Sequence, residues 1–187
     1  MIRIAAVLML ALGLAACTDA TKDLSGPTTP IGDLSLGYVA VVTEKPAPSK
    51  LLVSRDATPE EWIETVDAAM KQRFERFEGD RLYHLGVKVI AYSLPPPVVP
   101  GKSALHVAVT VFDDGNCIKM NAKAHDVMVI QVFESRLQLT REEQMQKLAE
   151  AAALDIEKWL REMMESDGWF TEDYTPPSNA KRVQGSC

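Results

Sequence analysis

The sequence predicts an α+β fold: a small four-stranded, mostly antiparallel sheet with two helices packed on one face, in the order strand, helix, three strands, helix. Two helix starts are explicit, because Thr58 and Thr140 each precede a glutamate by three residues, as in a capping box. The runs 85–91 and 105–111 alternate apolar residues with more variable ones, which is typical of strands. Stacking the helices on the sheet buries all of these apolar faces at once.

Residues 1–16 have the three parts of a secretory signal peptide. Arg3 makes the start basic, an uncharged apolar run occupies 4–14, and Ala15 and Ala16 end it. A helix that spans a bilayer needs about 20 apolar residues, so this run is too short to remain as one. We therefore expect cleavage after Ala16.

The residues Leu14-Ala15-Ala16-Cys17 resemble the lipobox of bacterial lipoproteins. The resemblance implies that the thiol of Cys17 receives a diacylglycerol and that, after cleavage, the new amino group is acylated, for instance with palmitate. Several acyl chains on one residue anchor a protein stably, whereas a single chain does not. The alternative is an ordinary secretory signal that happens to contain a cysteine.

The residue after the cysteine indicates whether the protein is held at the inner or the outer membrane. In enterobacterial lipoproteins an aspartate there favours the inner membrane, so Thr18 implies the periplasmic face of the outer membrane. Asp19, one position later, leaves the inner membrane open as the alternative.

Without Arg3 the chain has 19 basic and 26 acidic side chains, a net charge of −7. This balance leaves no basic footprint for nucleic acid.

We divide the chain into four segments. They are the signal peptide 1–16, the lipidated cysteine with a flexible tether 17–36, a single α+β domain 37–170 and a polar C-terminal tail 171–187. The tether is inferred from a stretch rich in Thr, Ser, Gly, Pro and Asp. A coil of that length would reach about 25 Å on average.

The first strand is predicted at 38–43, which is short, aromatic and β-branched. The first helix opens at Thr58 and ends at Gly79. Apolar residues recur along it every three or four positions, which gives one buried face. These residues are Trp62, Val66, Ala69, Met70, Phe74 and Phe77.

Three strands should follow, at 85–91, 105–111 and 126–134. The last is apolar on both faces over several residues, which predicts a central or doubly covered position. The proline-rich stretch 95–101 predicts a loop, because proline removes the donors that a sheet needs. The acidic cluster 113–116 predicts a turn.

The second helix runs from Thr140 to Gly168 and would span about 40 Å at 1.5 Å per residue. Three aromatic residues follow its end: Trp169, Phe170 and Tyr174. They either pack back on the sheet or form an exposed apolar patch, and we favour packing.

With Cys17 lipidated, Cys117 and Cys187 remain as a pair. In the oxidising periplasm they could form one disulfide that ties the tail to the domain, worth about 4 kcal/mol in the chain-entropy model. Two free thiols are the alternative.

The sequence offers little chemistry. His84, His106 and His125 lack metal-ligand spacing, and no catalytic nucleophile motif or phosphate-binding loop is present. We therefore predict no metal site, no cofactor and no enzymatic activity. Six methionines fall mostly on predicted apolar faces and are interpreted as core filler. They are Met70, Met120, Met128, Met145, Met163 and Met164.

The layout of anchor, spacer and strand-helix-strands-helix domain resembles accessory lipoproteins of envelope transport. The lipopolysaccharide-assembly lipoprotein and the auxiliary lipoproteins of ABC-type lipid transport are similar in this respect. The resemblance implies a non-enzymatic structural or interaction component of the envelope, held to the membrane by lipid and bound to another envelope protein. The alternative is a lipid or small-ligand binding module, which needs an apolar cavity between helices and sheet.

Overall fold

The computed structural model describes residues 19–48, 54–97, 99, 101–131, 139–176, 180 and 182. Cys17 and Cys187 therefore lie outside the described residues, as does the signal peptide. In chain order the secondary-structure elements are a 3-10 helix at Lys22–Ser25, β1 at Leu34–Pro48, α1 at Pro59–Phe74, β2 at Arg81–Ser93, β3 at Ser103–Asp113, β4 at Ile118–Lys119, β5 at His125–Gln131 and α2 at Arg141–Asp167.

The predicted fold class is confirmed: the domain is a helix pair on a mixed sheet. The sheet order is β1-β2-β3, and both β4 and β5 pair with β3 on its other side. Every pairing is antiparallel except β1 with β2, which is parallel. The parallel pair follows from the connection, because α1 carries the chain back across the sheet between the two strands. The two-residue β4 is the one strand that the sequence pattern did not predict.

Both predicted capping boxes are present. The hydroxyl of Thr58 accepts from the backbone of Glu61, and that of Thr140 accepts from the backbone of Glu143. Gly168 ends α2 in the left-handed conformation, as a helix-terminal glycine commonly does. The first helix is shorter than expected, ending at Phe74. Within the described residues neither helix is apolar enough over its length to cross a bilayer.

The core lies between the helices and one face of the sheet. In β3 every second residue is buried, and its partners in β2 and β5 across the same face are buried with it. The aromatic residues after α2 pack back, as favoured from the sequence. Phe170 is fully buried and meets the ring of Tyr83 edge-on, and Trp169 is buried beside it.

The structure differs from the expected spacer over 17–36. From Asp19 onward the chain is packed against the domain, and β1 begins at Leu34, before the predicted domain boundary at 37. Gly32 makes one close approach: its φ of +52° lets Asp33 donate to the carbonyl of Phe170 at 2.8 Å. A side chain at Gly32 would collide with that same carbonyl.

The last strand is also placed differently. β5 was expected in a central or covered position, but it pairs only with β3 among the described strands and lies at the sheet edge. Met128 and Ile130 are each 57% exposed on it, so Met128 is not core filler. The last predicted residues of this strand, 132–134, lie outside the described residues. An edge strand has no neighbour to cover it, whatever its composition.

Candidate functional site

The polar stretch before the first strand is docked on the domain. We call residues 19–33 the N-terminal segment. Its 3-10 helix lies between two buried anchor points, Ala20 at 7% exposure and Ile31 at 0%. A stretch with few apolar side chains can be held in this way only if its backbone and charges find partners on the domain.

Arg73 supplies most of those partners. This side chain lies on α1, is only 2% exposed, and donates to both carboxylate oxygens of Asp23 at 3.0 Å each. It also donates to the backbone carbonyl of Ala20. Arg76, one turn further, donates to Asp23 at 3.1 Å. The fork of a guanidinium suits a carboxylate in this two-pronged way.

The second helix completes the arrangement. Glu157 of α2 accepts from Arg73 at 2.6 Å and from Arg161 at 2.8 Å. Arg161 also donates to the carbonyls of Thr29 and Pro30, at 2.8 and 3.1 Å. Three arginines thus join the N-terminal segment to both helices. We call the five charged side chains the arginine clasp: Asp23, Arg73, Arg76, Glu157 and Arg161.

The clasp keeps its carboxylates ionised. The hydrogen bond from Arg73 is the main reason that the pKa of Asp23 falls to about 2. Burial alone would raise the pKa of Glu157, but the hydrogen bonds from Arg161 and Arg73 outweigh it and hold that pKa below its usual range. Both acids therefore stay charged at neutral pH, and the clasp remains closed.

Beside Ala20 runs a shallow groove of about 360 Å³ between β5 and α2. One side is formed by β5, from Met128 to Gln131, and the other side is formed by α2, including Leu154. We call this surface the β5–α2 seam. The residues that matter for it are Ala20, Met128, Ile130, Ala151, Leu154 and Lys158. The seam mixes apolar and polar side chains, because Gln131, Asp155 and Lys158 line it together with the apolar residues. It adjoins the first described residues of the chain.

The face of the sheet opposite the helices has no other element packed on it among the described residues. Exposed apolar side chains stand on it from β1, β2 and β5. They are Tyr38, Val42, Leu82, Ile90, Met128 and Ile130, each 37–57% exposed. The middle of this open sheet face is lined by small residues, including Gly86 and Ala108.

The three histidines do not converge. The His84 ring stacks on Tyr38, accepts from the Tyr38 amide at Nδ1 and faces Asp114 at Nε2. His106 pairs with Asp126 at 2.9 Å elsewhere on the open sheet face. His125 stacks on Trp159 under the sheet edge. Across the described ranges no three metal-ligating side chains come together.

Two further clefts are lined by acidic side chains. One, of about 600 Å³, lies where the N-terminal segment meets the loop after α1, with Asp33, Glu78 and Asp80 on its walls. The other, of about 480 Å³, lies between the helices, with Glu64 and Glu150 at its rim. Neither brings a nucleophile together with a base in the described part of the chain.

Cys117 is disulfide-bonded and has a φ of +51° in the turn after β3. Its expected partner Cys187 and the lipid-bearing Cys17 fall outside the described residues. An antiparallel bridge between Ile118 and Arg182 brings the C-terminal tail to this turn. The pairing of Cys117 with Cys187 stays a prediction, which the mass of the intact protein before and after reduction tests.

The charged residues of the clasp were missed from the sequence, although a signal for them exists. Arg73 falls on the apolar stripe of α1, three residues after Met70 and four after Ala69. Glu157 falls among the buried residues of α2, four after Ala153. A charged residue at a stripe position is an unusual core residue, which requires a partner.

No family model matches the chain, and no curated protein matches its sequence. Several solved structures show a distant similarity to the chain. A candidate lipoprotein from Caulobacter crescentus is 14% identical, with a TM-score of 0.39 over 68% of this chain and 90% of that one. A protein from Xanthomonas campestris, of the family DUF330, is 10% identical, with a TM-score of 0.41 over 73% and 86%.

A third similar structure is the PelC dodecamer from Paraburkholderia phytofirmans. It is 12% identical, with a TM-score of 0.34 over 67% of this chain and 92% of that one. Likeness at this distance has no bearing on the activity or partners of the present chain.

Proposed function

We propose that this protein is a lipid-anchored component of the bacterial cell envelope that acts by binding another envelope protein and has no enzymatic activity. The proposed localisation rests on the sequence, with Cys17 as the lipid-bearing residue after removal of 1–16. The protein would face the periplasm from the outer membrane, with the inner membrane as the alternative.

The observation that supports an interaction role is the open sheet face. Six exposed apolar side chains stand on it, and the helices cover the other face. Exposed apolar side chains that share one face of a folded domain are a common feature of binding surfaces. The partner would present apolar groups to Tyr38, Val42 and Leu82 together with polar groups, because the pairs Lys88–Glu44 and His84–Asp114 lie on the same face.

The alternative role, a lipid or small-ligand binding module, gains no support from the described core. It requires an enclosed apolar cavity between the helices and the sheet. That interface is filled by large side chains of 0–1% exposure, which include Trp62, Met70, Phe74, Tyr83 and Leu148. Interiors packed to this degree leave little space for a ligand.

The anchor is tested on protein extracted from membranes. Its mass should show loss of residues 1–16 and the addition of a diacylglyceryl group and an acyl group on Cys17. Cys17→Ser should leave the membrane fraction. A mature protein with an unmodified Cys17 would contradict the proposed address.

The interaction role is tested by photo-crosslinking in intact cells. A benzophenone amino acid at position 42 or 82 probes the open sheet face, and the same amino acid at position 72, on the exposed side of α1, is the matched control. We expect one discrete protein adduct from positions 42 and 82, and we expect Leu82→Lys, introduced into the chain that carries the probe at 42, to weaken the adduct from that position. Equal adducts from position 72, or none from either strand, would contradict the role.

A further inference from the structure

We infer that the β5–α2 seam is the surface that lies against the lipid bilayer, and that the arginine clasp fixes the domain in this orientation. The inference rests on the lipidation of Cys17 in the proposed function. It adds which side of the domain meets the lipid and why, neither of which follows from the anchor alone.

The first step concerns the place where the chain becomes fixed to the domain. Ala20 is buried, and its carbonyl accepts from Arg73. Asp23 is gripped by the same side chain three residues later. From Ala20 onward the chain is thus held to the domain, so only the residues between Cys17 and Ala20 separate the proposed anchor from the point of attachment.

The second step is the reach of that free part. Cys17 and Ala20 are three residue steps apart, which is at most about 10 Å of extended chain. Acyl chains on Cys17 lie in the hydrocarbon, so the backbone of Cys17 lies at headgroup level. The surface around Ala20 must then lie within about 10 Å of the headgroups. A free tether over 17–36 would reach about 25 Å and fix no orientation.

The third step is the chemistry of that surface. Met128 and Ile130 stand at the margin of the groove, on the face of β5 that points away from the helices, and each is 57% exposed. The half-buried Leu154 lies on the α2 side of the groove. Apolar side chains of this kind gain by entering the interfacial region of a bilayer. Contact with lipid thus accounts for the apolar residues on the exposed face of β5, which no other described element covers.

Lysines flank the seam. Lys158 lines it, and Lys147 lies near Asp19, whose pKa is lowered mainly by hydrogen bonds from Thr21 and to a smaller degree by the charge of Lys147. Long lysine stems can lie along apolar surface while the ammonium group reaches a phosphate. Acidic neighbours are present as well: Asp155 pairs with Lys158 at 2.9 Å. Because the anchor already supplies the affinity, the seam needs only to select the orientation.

The orientation leaves the other sheet edge free. The strand order places β1 three strand spacings from β5, which is about 14 Å across the sheet. Val42 on β1 is therefore far from the edge that meets the bilayer. A partner in the periplasm could bind β1 and β2 on the open sheet face while the seam stays on the membrane.

The test uses purified, lipidated full-length protein in vesicles of phosphatidylethanolamine and phosphatidylglycerol. A benzophenone amino acid is placed at position 128 or 154, and at position 42 as the matched control of similar exposure to position 128. The readout is the mass of one added phospholipid after illumination. We expect several-fold more lipid adduct from positions 128 and 154 than from position 42. Equal yields, or an adduct of position 128 with a second copy of the chain, would overturn the inference.

A second variant tests the role of the clasp without disturbing it. A flexible Gly-Ser insertion of about ten residues between Thr18 and Asp19 lengthens the reach to about 20 Å and leaves the described domain unchanged. We expect the difference between positions 128 and 42 to collapse. A difference that survives the insertion would overturn the part assigned to the clasp.

The outcomes separate this inference from the proposed function. An acylated protein whose positions 128 and 42 give equal lipid adducts overturns the inference alone. A protein that carries no acyl group by mass overturns the proposed address and the inference with it. Loss of the protein adduct from positions 42 and 82 in cells contradicts the interaction role and leaves the orientation intact.

Discussion

The N-terminal segment and β5 contrast in composition and burial. The segment is polar, yet it is pinned by Ala20 and Ile31 and by charges that reach into both helices. The strand is apolar on both faces, yet Met128 and Ile130 stand in solvent. Composition predicted neither the docking of the segment nor the exposure of one face of β5, although most residues of the segment remain exposed and Val127 and Val129 of β5 are buried.

The difference shows that the contacts available to a segment, and not only its polarity, determine whether it packs against the domain. The segment is held because the guanidinium groups of Arg73 and Arg161 donate to its carboxylate and carbonyl oxygens, although much of its surface remains in contact with water. β5 is exposed because the described sheet ends there and no layer covers its outer face. An apolar strand at an edge thus marks a surface that is itself available for binding.

Removing Arg73 should have the largest effect on the comparison, because its side chain holds the segment. Arg73→Ala leaves Glu157 buried with one partner fewer and releases Asp23. Loss of one member of a buried ion pair costs about 3–5 kcal/mol, and we expect about 3 because other arginines still contact Glu157. Urea unfolding measures the change.

The matched control for that change is Lys71→Ala, on the same helix. Lys71 makes an exposed pair with Asp67 at 2.8 Å, and such pairs contribute about 0.5 kcal/mol or less. A cost for Arg73→Ala no greater than that for Lys71→Ala would mean that the clasp does not hold the segment.

A pair of identical substitutions compares the two regions directly. Ile31→Ala removes a fully buried side chain from the N-terminal segment, and Ile130→Ala removes an exposed one from β5. We expect about 2–3 kcal/mol for Ile31→Ala, from lost burial and the cavity left behind. Ile130→Ala should stay within about 0.5 kcal/mol. Denaturant midpoints with unchanged slopes measure both, and equal costs would contradict the difference in burial between the two positions.

Lowering the pH should weaken the attachment of the N-terminal segment and have no effect on β5. The pKa of Asp23 is about 2 in the folded protein against an ordinary 3.8. A lowered carboxyl pKa stabilises the fold above the ordinary value, and this contribution is lost as the pH falls from about 4 towards 2. Because half of the side chain is exposed, we expect about 1 kcal/mol after solvent screening.

The measurement is the stability of the wild type and of Asp23→Asn between about pH 5 and pH 2. Glu157 and Glu61 also have lowered pKa values, so both proteins lose stability in acid. The wild type should lose more, and its advantage should vanish at the acid end. Parallel curves would show that Asp23 does not report on the clasp.

The elements that the sequence predicted well are those with local signals. Each capping box lies within four residues, so Thr58 and Thr140 mark the helix starts without reference to the rest of the chain. The alternation in β2 and β3 is likewise local, and both strands lie where expected. Gly168 ends α2 through its own left-handed conformation.

The features that were missed depend on residues far apart in the sequence. Arg73 and Asp23 are 50 positions apart, and Arg73 and Glu157 are 84 apart. The edge position of β5 depends on which strands pair, which composition does not encode. A charged residue on each helix stripe was the available signal for the clasp, since Arg73 and Glu157 can both be buried only together.

The smallest expected change in stability is at the exposed face of β5. Met128→Thr replaces an exposed apolar side chain on the strand with one that favours strands, so stability should change by no more than about 0.5 kcal/mol. Met145→Thr, at a buried position of α2, is the matched control and should cost about 2 kcal/mol or more. Equal costs in urea unfolding would mean that β5 is covered in solution. A midpoint that rises with protein concentration would then identify a second copy as the cover.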